Sequence, residues 1–311
     1  MSTIMASGQD YNIPDWIKNN AGWWADGQIP DSAFVNGIKF LIENGIMEIE
    51  SSQSSSQTSE VSNFQDNGDF YLIYKPTDEY SNFEYWLKEG YADFYFDYQI
   101  EWLNSSFKLP YDVGIIIDEC DMVNAWYDPG QKQVTICYEL IDDMTYKFFT
   151  YYADLSDRDG IEMPSHLVHQ STLNAIDHTF YHELGHAFVD IYDLPITGLE
   201  EDAVDQFGVY ILIETSGNIG QDAVADTAIY YYLGNEQNPA INDTLYADEH
   251  SLDKQRFFNF ACWVYGSDPE YNQFIIDGGW FPNEYRTDRC TSEYERVSSS
   301  WETLLEPYWM N

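Results

Sequence analysis

The stretch STLNAIDHTFYHELGHAFVDIY, residues 171–192, decides the fold of this chain. It contains no proline, and its apolar side chains recur at steps of three and four residues: Leu173, Ile176, Phe180, Leu184 and Phe188. This spacing predicts one amphipathic helix, which Pro195 and Gly198 then end. His182 and His186 lie off the apolar stripe, so we expect both imidazoles to turn toward a cleft.

These two histidines belong to the pattern His-Glu-x-x-His, residues 182–186. Two imidazoles four residues apart share a helix face and can bind one zinc ion, and Glu183 is then aimed at a metal-activated water. The pattern therefore indicates a zinc peptidase. The plainer alternative is a surface helix with two incidental histidines, because short motifs also arise by chance.

A catalytic zinc usually takes three protein ligands, so one more ligand must come from elsewhere in the chain. Glu201 is the strongest candidate, because a second helical pattern opens at Leu199 and fourteen residues separate His186 from Glu201. That length allows the chain to reverse and to lay the second helix beside the first. Asp205 follows on the same face, where its carboxylate could accept the free ring N–H of a ligand histidine.

Two alternatives remain open for these acids. Glu200 is the next candidate ligand, and residues 200–202 are also acids of the kind that the dipole favours in a first helical turn. A different zinc geometry is excluded, since a metzincin carries Gly and His where this chain has Val189 and Tyr192.

The ligand set predicts hydrolysis of peptide bonds by a metal-activated water. Zinc would polarise the scissile carbonyl, and Glu183 would take the proton of the water and pass it to the leaving amine. A further donor should stabilise the oxyanion, and His250 is the first candidate, with Tyr138 or Tyr210 weaker. His178, one turn before His182, is a neighbour or a further ligand.

Several segments together resemble a family of uncharacterised metallopeptidases that carry a domain of unknown function. The resemblance covers roughly residues 70–308 and rests on residues 124–129, 137–140, 182–186, 193–195, 200–206, 248–250 and 290–307. It implies a zinc-dependent peptidase fold whose substrates are not established. The Glu-x-x-x-Asp spacing also resembles that of gluzincins, in which the Glu is the third metal ligand and the Asp contacts a ligand side chain, not the metal itself. On that basis the resemblance implies these roles for Glu201 and Asp205.

Charge restricts the partners of the protein. The chain has 54 acidic and 13 basic residues, a net charge of −41 and a pI near 4.1. Phosphate backbones and anionic membranes would be repelled, which excludes nucleic acid as a partner and favours cationic or neutral peptide substrates. Because 44% of the residues are hydrophobic and 17% aromatic, the acidity belongs to the surface of a folded protein.

Four cysteines point to an oxidising compartment. Cys120 and Cys137 flank the turn at residues 124–130, which lies between the strand-like runs 113–117 and 133–136, and this spacing suits a bridge across a hairpin; Cys262 and Cys290 flank a Gly-Gly loop. Three pairings are possible, of which we favour these two local ones. None has the close spacing of a structural zinc site, so we expect disulfides and an extracellular or cell-surface protein. Residues 1–10 show no signal peptide, and no apolar run suits membrane insertion.

Three regions are expected along the chain. We expect a small helical module at residues 11–50, in which Trp16, Trp23 and Trp24 would form the core. It resembles a module found in secreted and surface proteins of archaea. Three roles remain open for it: attachment, partner binding or a purely structural role. Residues 51–68 are rich in Ser and Gln and read as a linker. Residues 69–311 form the zinc metallopeptidase-like domain.

For that domain we expect an α+β, zincin-like fold. A small sheet should line the cleft with its edge strand, the helix of His182 should pack behind it, and a mainly helical C-terminal half should supply Glu201. The alternative function is a non-catalytic zinc-containing binding or surface-attachment protein. The presence of Glu183 argues against it, because a structural zinc needs no general base between its ligands.

Overall fold

A computed structural model describes residues 64–88, 95–160, 162–237 and 246–310. The predicted module at residues 11–50 and most of the predicted linker lie outside these residues. Within the part of the linker that is described, the ring of Phe64 packs edge-on against Tyr192 and Tyr308.

A mixed four-stranded sheet opens the domain. Its strands are β1 (Phe70–Tyr74), β2 (Val113–Asp118), β3 (Ala125–Asp128) and β4 (Gln133–Cys137). The strand order is β1-β2-β4-β3, with β1, β2 and β4 parallel and β3 antiparallel to β4. The run Val-Gly-Ile-Ile-Ile of β2 is buried throughout, as expected for a central strand covered on both faces. The short strand β3 therefore lies at one edge of the sheet.

Helices form most of the remaining described chain. They are α1 (Ser81–Lys88), α2 (Tyr95–Ser106), α3 (Tyr138–Asp159), α4 (Ser165–Tyr192), α5 (Glu200–Ser216), α6 (Asn218–Gln237), α7 (Asp253–Ser267), α8 (Gln273–Asp277), α9 (Glu284–Thr287), α10 (Cys290–Leu305) and a 3-10 turn (Glu306–Tyr308). The small sheet followed by a mainly helical C-terminal half confirms the predicted α+β, zincin-like class.

Helix α4 is the central element of the domain. It touches β3 and β4 on one side and α3, α5 and α6 on the others. The apolar stripe predicts an amphipathic helix, but α4 is buried on nearly every face, and His182 and Glu183 are themselves buried. It also begins six residues earlier than the pattern at residue 171 indicates, directly after Pro164, because proline is compatible with a helix start.

Close packing of α5 on α4 depends on Gly185. A Cβ atom at this position would lie 2.8 Å from the Cβ of Val204. The missing side chain lets the first turns of α5 approach the helix face that carries the two histidines. The polypeptide between the helices leaves α4 at Asp193, which has a left-handed backbone with φ of 50°.

The structure pairs Cys120 with Cys137 and Cys262 with Cys290, the local pairing that the sequence favours. The predicted setting of the first bridge is wrong: it does not span a hairpin. Strands β2 and β4 run parallel, and the bridge joins Cys137, the last residue of β4, to Cys120, two residues after the end of β2. The hairpin forms instead between β3 and β4, because β3 lies between β2 and β4 in sequence. The second bridge joins α7 to α10. Among the helices described, none is both long and apolar enough to cross a bilayer.

Candidate metal centre

Three side chains converge where α4 meets the first turn of α5. His182 and His186 stand one turn apart with ring centroids 5.1 Å from each other. The Glu201 carboxylate faces both rings, with Oε2 3.1 Å from Nε2 of His182 and Oε1 3.3 Å from Nε2 of His186. One donor atom from each residue lies within 4.8 Å of the other two. Two imidazole nitrogens and a carboxylate oxygen fit a transition-metal cation, and zinc in particular accepts such a set.

The ring of His182 is held from behind by a buried ion pair. Its Nδ1 lies 2.8 Å from Oδ1 of Asp205, which accepts the ring N–H and leaves Nε2 facing Glu201. Arg256 donates to the same carboxylate from Nε, at 2.9 Å, and from Nη2. Asp205 is only 3% exposed, so its charge depends on these two partners. Such outer contacts fix the orientation and tautomer of a histidine ligand.

His186 has its own partner on the other ring nitrogen. Nδ1 lies 2.8 Å from Oε1 of Glu200, a half-exposed side chain. Glu200, the second choice for a metal ligand, is thus placed behind His186, while Glu201 faces the space between the imidazoles.

The charges at the centre are strongly coupled. Burial opposes the charged form of His182, but hydrogen bonds with Asp205 and Glu201 raise its pKa to about 9. Burial would raise the pKa of Glu201, yet hydrogen bonds with His182, His186 and His250 hold it well below its usual range. The carboxylate is thus strongly stabilised by positive charge at this position, which is the electrostatic environment that a bound cation would also provide.

Glu183 lies at the edge of this cluster and is 7% exposed. Burial raises the pKa of its carboxyl, and the neighbouring His182 and His186 oppose that effect. Its side chain lines both cavities that open beside the centre. Glu183 can therefore contact a substrate, although it is not one of the three side chains that converge at the candidate metal site.

His250 also reaches the centre, from the loop before α7. Its Nε2 lies 3.0 Å from Oε2 of Glu201, and its ring stacks on that of His182 at 6.1 Å. The backbone N–H of His250 donates to Oδ1 of Asp248 at 3.0 Å, which fixes the turn. The imidazole is partly exposed and lines both cavities, so it faces the space that a substrate would occupy.

The remaining candidates from the sequence, Tyr138, Tyr210 and His178, do not line the cavities at the centre. Tyr138 and Tyr210 are buried, and neither lines the cavities at the centre. His178 is fully buried behind His182, where burial lowers its pKa to about 3. Its Nε2 lies 3.3 Å from the carbonyl oxygen of Asp205, so that nitrogen is positioned to donate to the α5 backbone.

Two residues of the site, Arg256 and Tyr231, were not among the predicted ones. Arg256 lies 51 residues after Asp205, and its guanidinium carbon stacks over the ring of Tyr231 at 4.0 Å. One signal was available: Arg256 is one of few basic residues in a very acidic chain, and it directly precedes the apolar run that starts at Phe257. Nothing in that signal identifies Asp205 as its partner.

Two cavities, of about 380 and 550 Å³, meet at His182, Glu183 and His250. Residues of the edge strand β3 or of the loop before it line both of them, Ala125 among these. Among the described residues β3 pairs only with β4, so its other edge offers backbone groups to an extended chain close to the point where the two cavities meet.

The chain matches a known protein family over most of its length. The model of the domain family DUF4344, described as "Putative metallopeptidase", matches residues 75–305. No curated protein and no solved structure matches the chain. The matched range contains every residue of the cluster described above.

Proposed function

The chain belongs to this metallopeptidase family, and we propose that it hydrolyses peptide bonds with zinc as cofactor and Glu183 as general base. The proposal rests on one observation: the imidazoles of His182 and His186 and the carboxylate of Glu201 converge beside Glu183, which is a separate, buried acid. Catalytic zinc sites commonly use three protein ligands of this kind and keep one position open. His182, His186 and Glu201 would hold the metal, and Asp205 would orient His182 from behind.

When bound, zinc would lower the pKa of a coordinated water toward about 7 and polarise the scissile carbonyl. Glu183 would accept a proton on its carboxylate and carry it to the nitrogen of the leaving amine. Its burial keeps bulk water from competing for that proton. His250 would donate from its imidazole to the oxyanion that develops on the substrate carbonyl.

The cleft supports a peptide as substrate. An extended chain could pair with the free edge of β3 and pass Glu183 at the point where the two cavities meet. The net charge of −41 would attract cationic peptides and repel acidic ones, while neutral peptides could approach without that repulsion. The two disulfides support secretion or a cell-surface location, since such bridges persist in oxidising surroundings.

Cleavage of an unbiased peptide library by zinc-loaded protein tests the proposal. Glu183→Gln should lower turnover by roughly 100- to 10,000-fold, the usual contribution of a general base, while zinc still binds at one equivalent. Glu249→Gln is the matched control, because Glu249 is an exposed carboxylate that lines the same cleft. Equal cleavage by the parent and Glu183→Gln would contradict the role of Glu183. Bound zinc without cleavage by either protein would favour a binding function.

A further inference from the structure

Unlike the larger cavity, the cavity of about 380 Å³ is lined by helices α3 and α6. Its lining includes side chains buried in the core, among them Met144 at 1% exposure, Leu140 and Tyr231. They come from α3 and α6, so the cavity extends between helices beyond Glu183 and His182. Its volume lies in the range of pockets that bind small ligands, about 300–1,000 Å³, and suits one large side chain with its backbone.

Two of the cations that line this cavity, Lys147 and Arg256, are each already paired with a carboxylate. Lys147 pairs with Asp143 and stacks over the ring of Tyr230 at 4.7 Å. Tyr230 donates its hydroxyl to the same carboxylate at 3.0 Å. Arg256 is occupied by Asp205. Neither cation is therefore available to bind a carboxylate from a ligand.

The other ionisable side chains at the cavity carry both signs of charge. Glu183, Asp248 and Asp253 line it, and so do the exposed ammonium of Lys254 and the imidazoles of His182 and His250. An acidic side chain that reached the apolar wall at Leu140 and Met144 would lose its hydration there, which costs free energy. A basic side chain at the same wall would lose its hydration in the same way, since Leu140 and Met144 offer it no hydrogen-bond acceptor.

We propose that this cavity is the specificity pocket of the enzyme and takes a large, uncharged apolar side chain, aliphatic or aromatic, from a residue flanking the scissile bond. The assignment rests on the proposed peptidase function, because Glu183 and His182 at the mouth of the cavity identify the neighbouring bond as the one cleaved. Leu140, Met144 and the rings of Tyr230 and Tyr231 supply the apolar contacts.

The test compares the parent with two substitutions at one wall position. Peptide-library profiles of the zinc-loaded full chain should show Leu, Met or Phe preferred over Ala, Lys and Glu by at least about tenfold at one position flanking the cleaved bond. Leu140→Trp narrows the cavity and should reduce the rate with Phe at that position by about tenfold or more, and Leu140→Ala should raise acceptance of Trp. Leu305→Ala, a comparable loss from the core of α10 away from the cavity, should leave the profile unchanged.

A binding measurement separates this inference from the peptidase proposal. Ligand-observed NMR of the metal-free chain should show N-acetyl-phenylalanine amide binding more tightly than the alanine and glutamate analogues, and Leu140→Trp should abolish the difference. Cleavage without an apolar preference, or a preference for Lys or Glu, would overturn the pocket and leave the peptidase function intact. Absence of cleavage together with selective binding of the phenylalanine amide would overturn the function and keep the pocket.

Discussion

Replacing Arg256 by Met should destabilise the domain and weaken zinc binding together. The buried carboxylate of Asp205 accepts hydrogen bonds from His182 and from two nitrogens of Arg256. Met keeps much of the aliphatic volume over Tyr231 but leaves the carboxylate with one charged or polar side-chain partner. Breaking a buried pair by removing one member costs about 3–5 kcal/mol, because the remaining charge is uncompensated.

In a domain of this size each kcal/mol shifts the melting temperature by about 2–4 °C, so Arg256→Met should melt about 6–20 °C below the parent. Because Asp205 then holds His182 less firmly, zinc affinity should fall by about 10- to 100-fold. The assays are thermal unfolding of metal-free protein by circular dichroism and zinc competition against a chelator of known affinity.

Arg158→Met is the control for this prediction. Arg158 pairs with Asp159 on the surface with 68% of its side chain exposed, so its loss should leave the melting temperature and the zinc affinity almost unchanged. The reasoning is refuted if Arg256→Met melts no lower than Arg158→Met and binds zinc as tightly as the parent does.

Three other outcomes are expected. Glu201→Gln should lower zinc affinity by more than about 100-fold, beyond the effect of losing an outer contact, as measured by the same chelator competition. Burial raises the pKa of Asp177 to about 6. Between about pH 4 and 6 the folded chain therefore binds more protons than the unfolded chain does. The free energy of unfolding consequently falls as the pH rises through that window. Asp177→Asn should remove this loss, so urea titrations should show a free energy of unfolding higher than the parent's by up to about 2 kcal/mol at pH 8 and unchanged at pH 3.5. An equal change at both pH values would contradict this prediction. Replacing Cys120 and Cys137 by Ser should cost about 3 kcal/mol, because their bridge closes a loop of 17 residues, and unchanged urea unfolding would contradict that figure.

The parts of the site that local spacing determines could be predicted from the sequence. His182 and His186 share a helix face because of a four-residue step, and Glu201 with Asp205 repeats that step on the next helix. A short connection forces these two helices together, so the convergence of His182, His186 and Glu201 follows from chain geometry.

What the sequence could not provide were the contacts between distant segments. Arg256 reaches Asp205 across 51 residues, and no periodicity records that pairing. The parallel pairing of β2 with β4 was missed for a related reason: two apolar runs joined by a turn look like a hairpin unless the short strand between them is recognised. His250 was a candidate by residue type alone, and its place beside Glu201 depends on how the loop before α7 folds over the centre.

Anomalous diffraction at the zinc absorption edge, from crystals of protein purified without added metal, would locate the metal and its ligands. We expect one peak per chain between Nε2 of His182, Nε2 of His186 and the Glu201 carboxylate, with His250 and Glu183 nearby but outside the ligand set. A peak that excludes Glu201, or none after zinc is added to saturation, would contradict this expectation.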